Sequence, residues 1–160
     1  GVLADKTGVL IATAARYGAM FSGCSDEVVE IVREYGERLG VAFQLADDLL
    51  DIGSEGEQSG KTPGTDLREG KATLPVLYLR ASTDPADDRL KALLAADLST
   101  DDAALAEALI LLRAHPAMAQ ALATTQAVGA SAVEVLAPLP ESEVKRALTE
   151  LVEGVIHRVA

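Results

Sequence analysis

From Asp26 to Ile52 the sequence runs without a proline and returns an apolar side chain every three or four residues, a pattern that a long amphipathic helix satisfies. At ~100° per residue, Gln44, Asp47, Asp48 and Asp51 fall within about 100° of one another, and Gly40 joins them. Tyr35, Leu39, Ala42, Ala46, Leu49 and Leu50 gather on the opposite side. One face is therefore apolar and made for packing, and the other ends in three carboxylates within about a turn. Ser25 is a good N-cap, with Asp26 and Glu27 favouring the first turn.

Those carboxylates stand where a helix tolerates them least. Its C-terminal carbonyls carry partial negative charge, and each anion there costs roughly 0.3–1 kcal/mol. A hard cation removes that penalty and the mutual repulsion together. Mg²⁺ takes one or two protein carboxylates, keeps several waters and fills its other positions with substrate phosphate. A solvated acidic helix end is the plainer alternative.

The following loop, Gly53 to Lys71, holds five glycines and a proline, too many for a regular element. It brings Lys61, Arg68 and Lys71 next to the acids, and glycines leave backbone amides open to a ligand. Carboxylates for a metal with cations beside them is the composition of a diphosphate site. A Walker loop is excluded: Gly60-Lys61-Thr62 lacks the upstream GxxxxGK spacing and follows a helix.

Elsewhere the chain reads as helices. Leu3, Thr7, Leu10, Ala14, Tyr17 and Phe21 mark a first one, already under way near residue 2. A helix restarts at Thr73–Leu79 with Pro75 in its first turn, a short one follows near 86–96, and Thr100 can cap another. Pro116 opens a long Ala-rich helix ending near Ala137, and Val144 to Val159 form the last. With no period-2 segment, the expectation is an all-α helical bundle of six or seven helices, one domain over residues 1–160. Gly40 admits two explanations, close approach of a ligand or backbone at the site face, or tight helix packing.

With 49% hydrophobic but only 3% aromatic residues, small side chains dominate, which suits closely packed helices. A net charge of −11 argues against nucleic acid or an anionic membrane as partner. No apolar run is long enough to span a bilayer. The single cysteine, Cys24, excludes an internal disulfide and a Cys-cluster metal site, and is expected to be an inert, half-buried thiol. His115 and His157 stand at helix ends with no metal-ligand partner at i+3 or i+4 and are expected to be structural. A cytoplasmic setting follows from this cysteine usage and from Asp5 and Lys6, which interrupt any signal-like apolar run.

The Asp47-Asp48-Leu49-Leu50-Asp51 motif, followed by Gly60-Lys61-Thr62-Pro63-Gly64-Thr65-Asp66-Leu67-Arg68-Glu69-Gly70-Lys71 and Ala72 to Leu79, closely resembles the second aspartate-rich region of the trans-isoprenyl (polyprenyl) diphosphate synthases. Lys6-Thr7 is similar to the family's KT pair, and the Thr65-Asp66-Leu67 and Thr73-Leu74-Pro75 forms are closer to its long-chain branch. The resemblance implies condensation of isopentenyl diphosphate with an allylic diphosphate, by Mg²⁺-assisted ionisation, in an all-α bundle. It implies that Asp47 holds Mg²⁺, with Asp48 and Asp51 contributing through water or as supporting partners. Lys6 and Lys61 would contact the allylic diphosphate and Lys71 would assist. Thr7 and Gln44 would line the reacting centre, and Asp66 would support Lys61 or the metal waters. A homodimer is implied for the complete protein.

The departure from the family is large. No first aspartate-rich motif with its paired arginines precedes Asp47. The chain is expected to be the C-terminal half of a synthase, inactive alone. Two rivals are a non-catalytic helical subunit of the same fold and a class I terpene cyclase; the first has no use for the intact acids and lysines, and the second lacks the loop segment.

Overall fold

The computed structural model describes residues 2–54 and 63–159, with side chains from Thr7 onward. The described residues form eight α-helices and one 3₁₀ turn, with no strand among them, so the all-α expectation holds. The helices are α1 (Val2–Phe21), α2 (Asp26–Gly53), α3 (Thr65–Arg68), α4 (Leu74–Ala81), α5 (Asp88–Ala95), α6 (Asp102–Ala114), α7 (Pro116–Val135) and α8 (Glu143–His157), and the 3₁₀ turn is Pro85–Asp87. Internal packing divides the chain into two units, one built from Gly1–Ala46 and Thr124–Arg158, the other from Asp47–Ala123.

The first unit packs by close approach of helix backbones. A Cβ at Gly40 on α2 would lie 2.5 Å from the Cα of Gly8 on α1, and one at Gly36 would lie 2.7 Å from the Cα of Ala12. Tight helix packing therefore accounts for Gly40. Tyr35 and Ala42 on α2 are fully buried, as the wheel requires, and the Tyr35 hydroxyl donates to the Leu148 carbonyl at 2.8 Å. Burial pushes the Tyr35 phenol up to about 12. On α1, by contrast, Val9, Leu10, Tyr17, Met20 and Phe21 are exposed. They lie within about 120° of one another around the helix, an apolar stripe that Thr13 interrupts. Cys24 is exposed rather than half-buried, because it stands in the turn between α1 and α2 that the left-handed Gly23 opens.

The second unit encloses a core of Ile52, Leu67, Val76, Leu79, Leu109 and Leu112 with their neighbours. Two expectations are corrected here. The cap of α6 is Asp101, whose carboxylate accepts from the Ala104 amide at 2.9 Å, not Thr100. The glycine-rich loop is not wholly irregular, since Thr65–Arg68 forms the single turn α3. Arg113 of α6 closes the end of α2 by donating to the carbonyls of Ile52 at 2.6 Å and Ser54 at 2.8 Å.

His115 has the structural role expected of it, with a partner that spacing did not reveal. It joins α6 to α7: its Nδ1 accepts from the Ala117 amide at 3.0 Å, and its Nε2 lies 3.0 Å from Asp87 Oδ1. Nδ1 is thus the acceptor, so Nε2 carries the proton and donates to the carboxylate. The Ser82 hydroxyl, and then His115, hold the Asp87 carboxyl below its ordinary value. A carboxyl depressed in the folded state contributes stability above its unfolded range and loses it as pH falls. Asp87→Asn should therefore flatten the loss of urea stability between about pH 5 and pH 3 relative to the unsubstituted chain. An unchanged slope there would show that Asp87 is not linked to folding.

Candidate active site

The acids ending α2 keep the face predicted for them. Gln44, Asp47, Asp48 and Asp51 are each half-buried, while Ala46 and Leu49 among them and Ile52 beyond are buried; Leu50, expected on the packed face, is half-buried as well. Thr7 is half-buried on α1. Lys61 and the Lys6 side chain lie outside the described residues.

Of the residues singled out from sequence, the second unit brings Asp51, Asp66 and Lys71 together. Asp51 accepts from the Thr65 amide at Oδ1, 3.1 Å, and from the Asp66 amide at Oδ2, 2.9 Å. Its own carbonyl accepts from the Gly64 amide at 2.8 Å. Burial pushes the Asp51 carboxyl up, and the charges of Asp66 and Asp47 act in the same direction, against the two amides. Lys71 Nζ lies 2.8 Å from Asp66 Oδ1 and 2.7 Å from Glu69 Oε2, and these carboxylates raise its ammonium pKa.

Among the described residues, the loop cations Arg68 and Lys71 do not act as one set. Arg68 donates to the Ser99 carbonyl at 3.0 Å and pairs with Asp102 at 2.7 Å, which ties α3 to the start of α6. It is a structural residue here. Asp102 is the acid in the first turn of α6, and its pairing with Arg68 was not legible because 34 residues separate the two.

Among the described residues no group of three or more His, Cys, Asp or Glu side chains is arranged to hold a metal ion. Asp47 and Asp48 nevertheless suit Mg²⁺ chemically. They are hard oxygen donors, half-buried on one helix face, and an ion that relies on substrate oxygens needs only one or two of them.

The long second helix thus ends in an acidic face, against a loop that one acid pins by its amides. The polyprenyl synthetase family model matches residues 2–112. The chain belongs to that family. It is 48% identical over 157 residues to a nonaprenyl diphosphate synthase of Mycobacterium tuberculosis, covering 98% of this chain and 47% of the relative. A dimethylallyltranstransferase of the same organism is 36% identical over 97% of this chain and 46% of its own length. A crystal structure of the geranylgeranyl pyrophosphate synthase of Corynebacterium glutamicum, complexed with calcium and isoprenyl diphosphate, superposes with a TM-score of 0.88 at 38% identity, over 99% of this chain and 49% of that one. The chain thus spans about half the length of the relatives it matches. The likeness to the nonaprenyl synthase supports the long-chain branch read from the loop. No helix among the described residues is long and apolar enough to cross a membrane.

Proposed function

We propose that this chain is the C-terminal half of a trans-polyprenyl diphosphate synthase, which lengthens an allylic diphosphate with isopentenyl diphosphate in the cytoplasm, as a homodimer when complete. The observation that carries this is the half-buried pair Asp47 and Asp48 at the end of α2, in a chain 48% identical to a nonaprenyl diphosphate synthase. When bound, Mg²⁺ supplies electrostatic stabilisation to the diphosphate that leaves as the allylic C–O bond ionises. Asp47 and Asp48 would hold that ion. Lys6 and Lys61 would bind the allylic diphosphate, assisted by Lys71. Thr7 and Gln44 would line the reacting carbon, and Asp66 would keep Lys71 and the loop in place. The calcium and isoprenyl diphosphate in the Corynebacterium glutamicum relative support a divalent cation and a prenyl diphosphate as the ligands.

The exposed stripe on α1 supports the half-enzyme reading. Leu10 is 68% and Phe21 88% exposed, and surface of this kind is ordinarily covered by a partner. The remaining half of the relatives' length is the natural cover. The chain alone should show no measurable prenyl transfer with Mg²⁺, an allylic diphosphate and isopentenyl diphosphate. Turnover should appear when it is joined to the unmatched N-terminal half of the nonaprenyl synthase. Substantial product from the 160 residues alone refutes the half-enzyme reading, and none from the joined protein counts against the activity.

A further inference from the structure

We infer that Asp51 is a positioning residue for the loop and not a metal ligand: its carboxylate caps α3 and thereby sets where Asp66 and Lys71 stand. The need for a cap is plain from the local sequence. A single helical turn is too short to persist unaided. The residue at the N-cap of α3 is Gly64, which has no side chain to accept an amide. Its φ of +79° admits glycine, and a Cβ there would meet Leu109 Cδ1 at 3.0 Å, so no ordinary capping residue fits the position. The cap comes instead from fourteen residues upstream.

Asp51 meets the loop at three points. Its carbonyl receives the Gly64 amide, and its two carboxylate oxygens receive the amides of Thr65 and Asp66. Asp66, so placed, accepts the Lys71 amide on its carbonyl at 2.8 Å and the Lys71 ammonium on its carboxylate at 2.8 Å. A chain of hydrogen bonds therefore runs from the end of α2 through α3 to the one lysine of the loop within the described residues. A carboxylate with both oxygens turned to amides cannot chelate an ion with that same edge. This rests on the metal–diphosphate reading only for what the loop is positioned to do; the cap itself is independent of it.

Substitution separates a cap from a ligand. Asparagine is as good a cap as aspartate but carries no charge, whereas alanine does neither. Amide exchange at Thr65 and Asp66 should quicken roughly tenfold in Asp51→Ala, and in Asp51→Asn at least one of the two should stay within about threefold of the unsubstituted chain. Mn²⁺ binding with inorganic pyrophosphate, followed by electron paramagnetic resonance, should likewise be kept in Asp51→Asn and lost in Asp47→Asn. Equal loss of Mn²⁺ in Asp51→Asn and Asp47→Asn overturns the assignment, as does unchanged exchange in Asp51→Ala. If the unsubstituted chain binds no Mn²⁺ with pyrophosphate, the metal reading fails on its own, and the exchange rates still decide the role of Asp51.

Discussion

Alanine at position 40 is expected to destabilise the protein by about 1–3 kcal/mol, although alanine is the better helix former. On propensity alone the substitution gains ~1 kcal/mol. Sterics reverse the sign, because the added Cβ would lie 2.5 Å from Gly8 Cα, a backbone atom that cannot swing aside. The two helices must part, and every contact along their crossing loosens. Gly18→Ala is the control: it lies in α1, a Cβ there meets nothing within 4 Å, and it should stabilise by about 0.5–1 kcal/mol. Urea denaturation of the two variants should give shifts of opposite sign. A Gly40→Ala protein as stable as its parent would mean that the α1–α2 approach is looser than described.

The larger effect on activity is expected at Asp47. In the enzyme completed by an N-terminal half, Asp47→Asn should lower kcat/KM by about three orders of magnitude, the scale on which removed transition-state charge stabilisation is felt. The substitution keeps size and one acceptor oxygen, so the fold should stand. What it removes is the charge that draws a divalent cation. Steady-state kinetics across a Mg²⁺ titration checks this. Activity restored by raised Mg²⁺ would mark a weakened metal site, and activity within tenfold of the parent would show that Asp47 does not hold the ion.

Much of this was legible in the sequence, for a physical reason. The helical period sorts side chains by face, so the buried Ala42, Ala46 and Leu49 and the half-buried Asp47 and Asp48 follow from spacing alone. Pro116 likewise fixes the start of α7. Contacts between distant residues have no such signature. Asp51 reads as a third acid of a motif, and only its reach to Thr65 and Asp66 shows that its oxygens are already engaged. Arg68 reads as a loop cation, and only its pairing with Asp102 gives it a structural role. The turn of α3 escaped notice because its cap lies outside its own sequence. For Gly40, wheel position pointed equally to ligand and to neighbour; the nearness of Gly8 decided it.

The grip of Arg113 on the Ile52 and Ser54 carbonyls bears on how an acidic helix end can exist before any ligand arrives. A guanidinium seated there supplies a permanent positive counterweight to the helix terminus, so the negative residues near it need no visiting cation to keep the last turn wound. If a cation binds beside it as proposed, a chelator should remove that ion without unravelling the helix end. A frame wound in advance would then spend none of the binding on building itself.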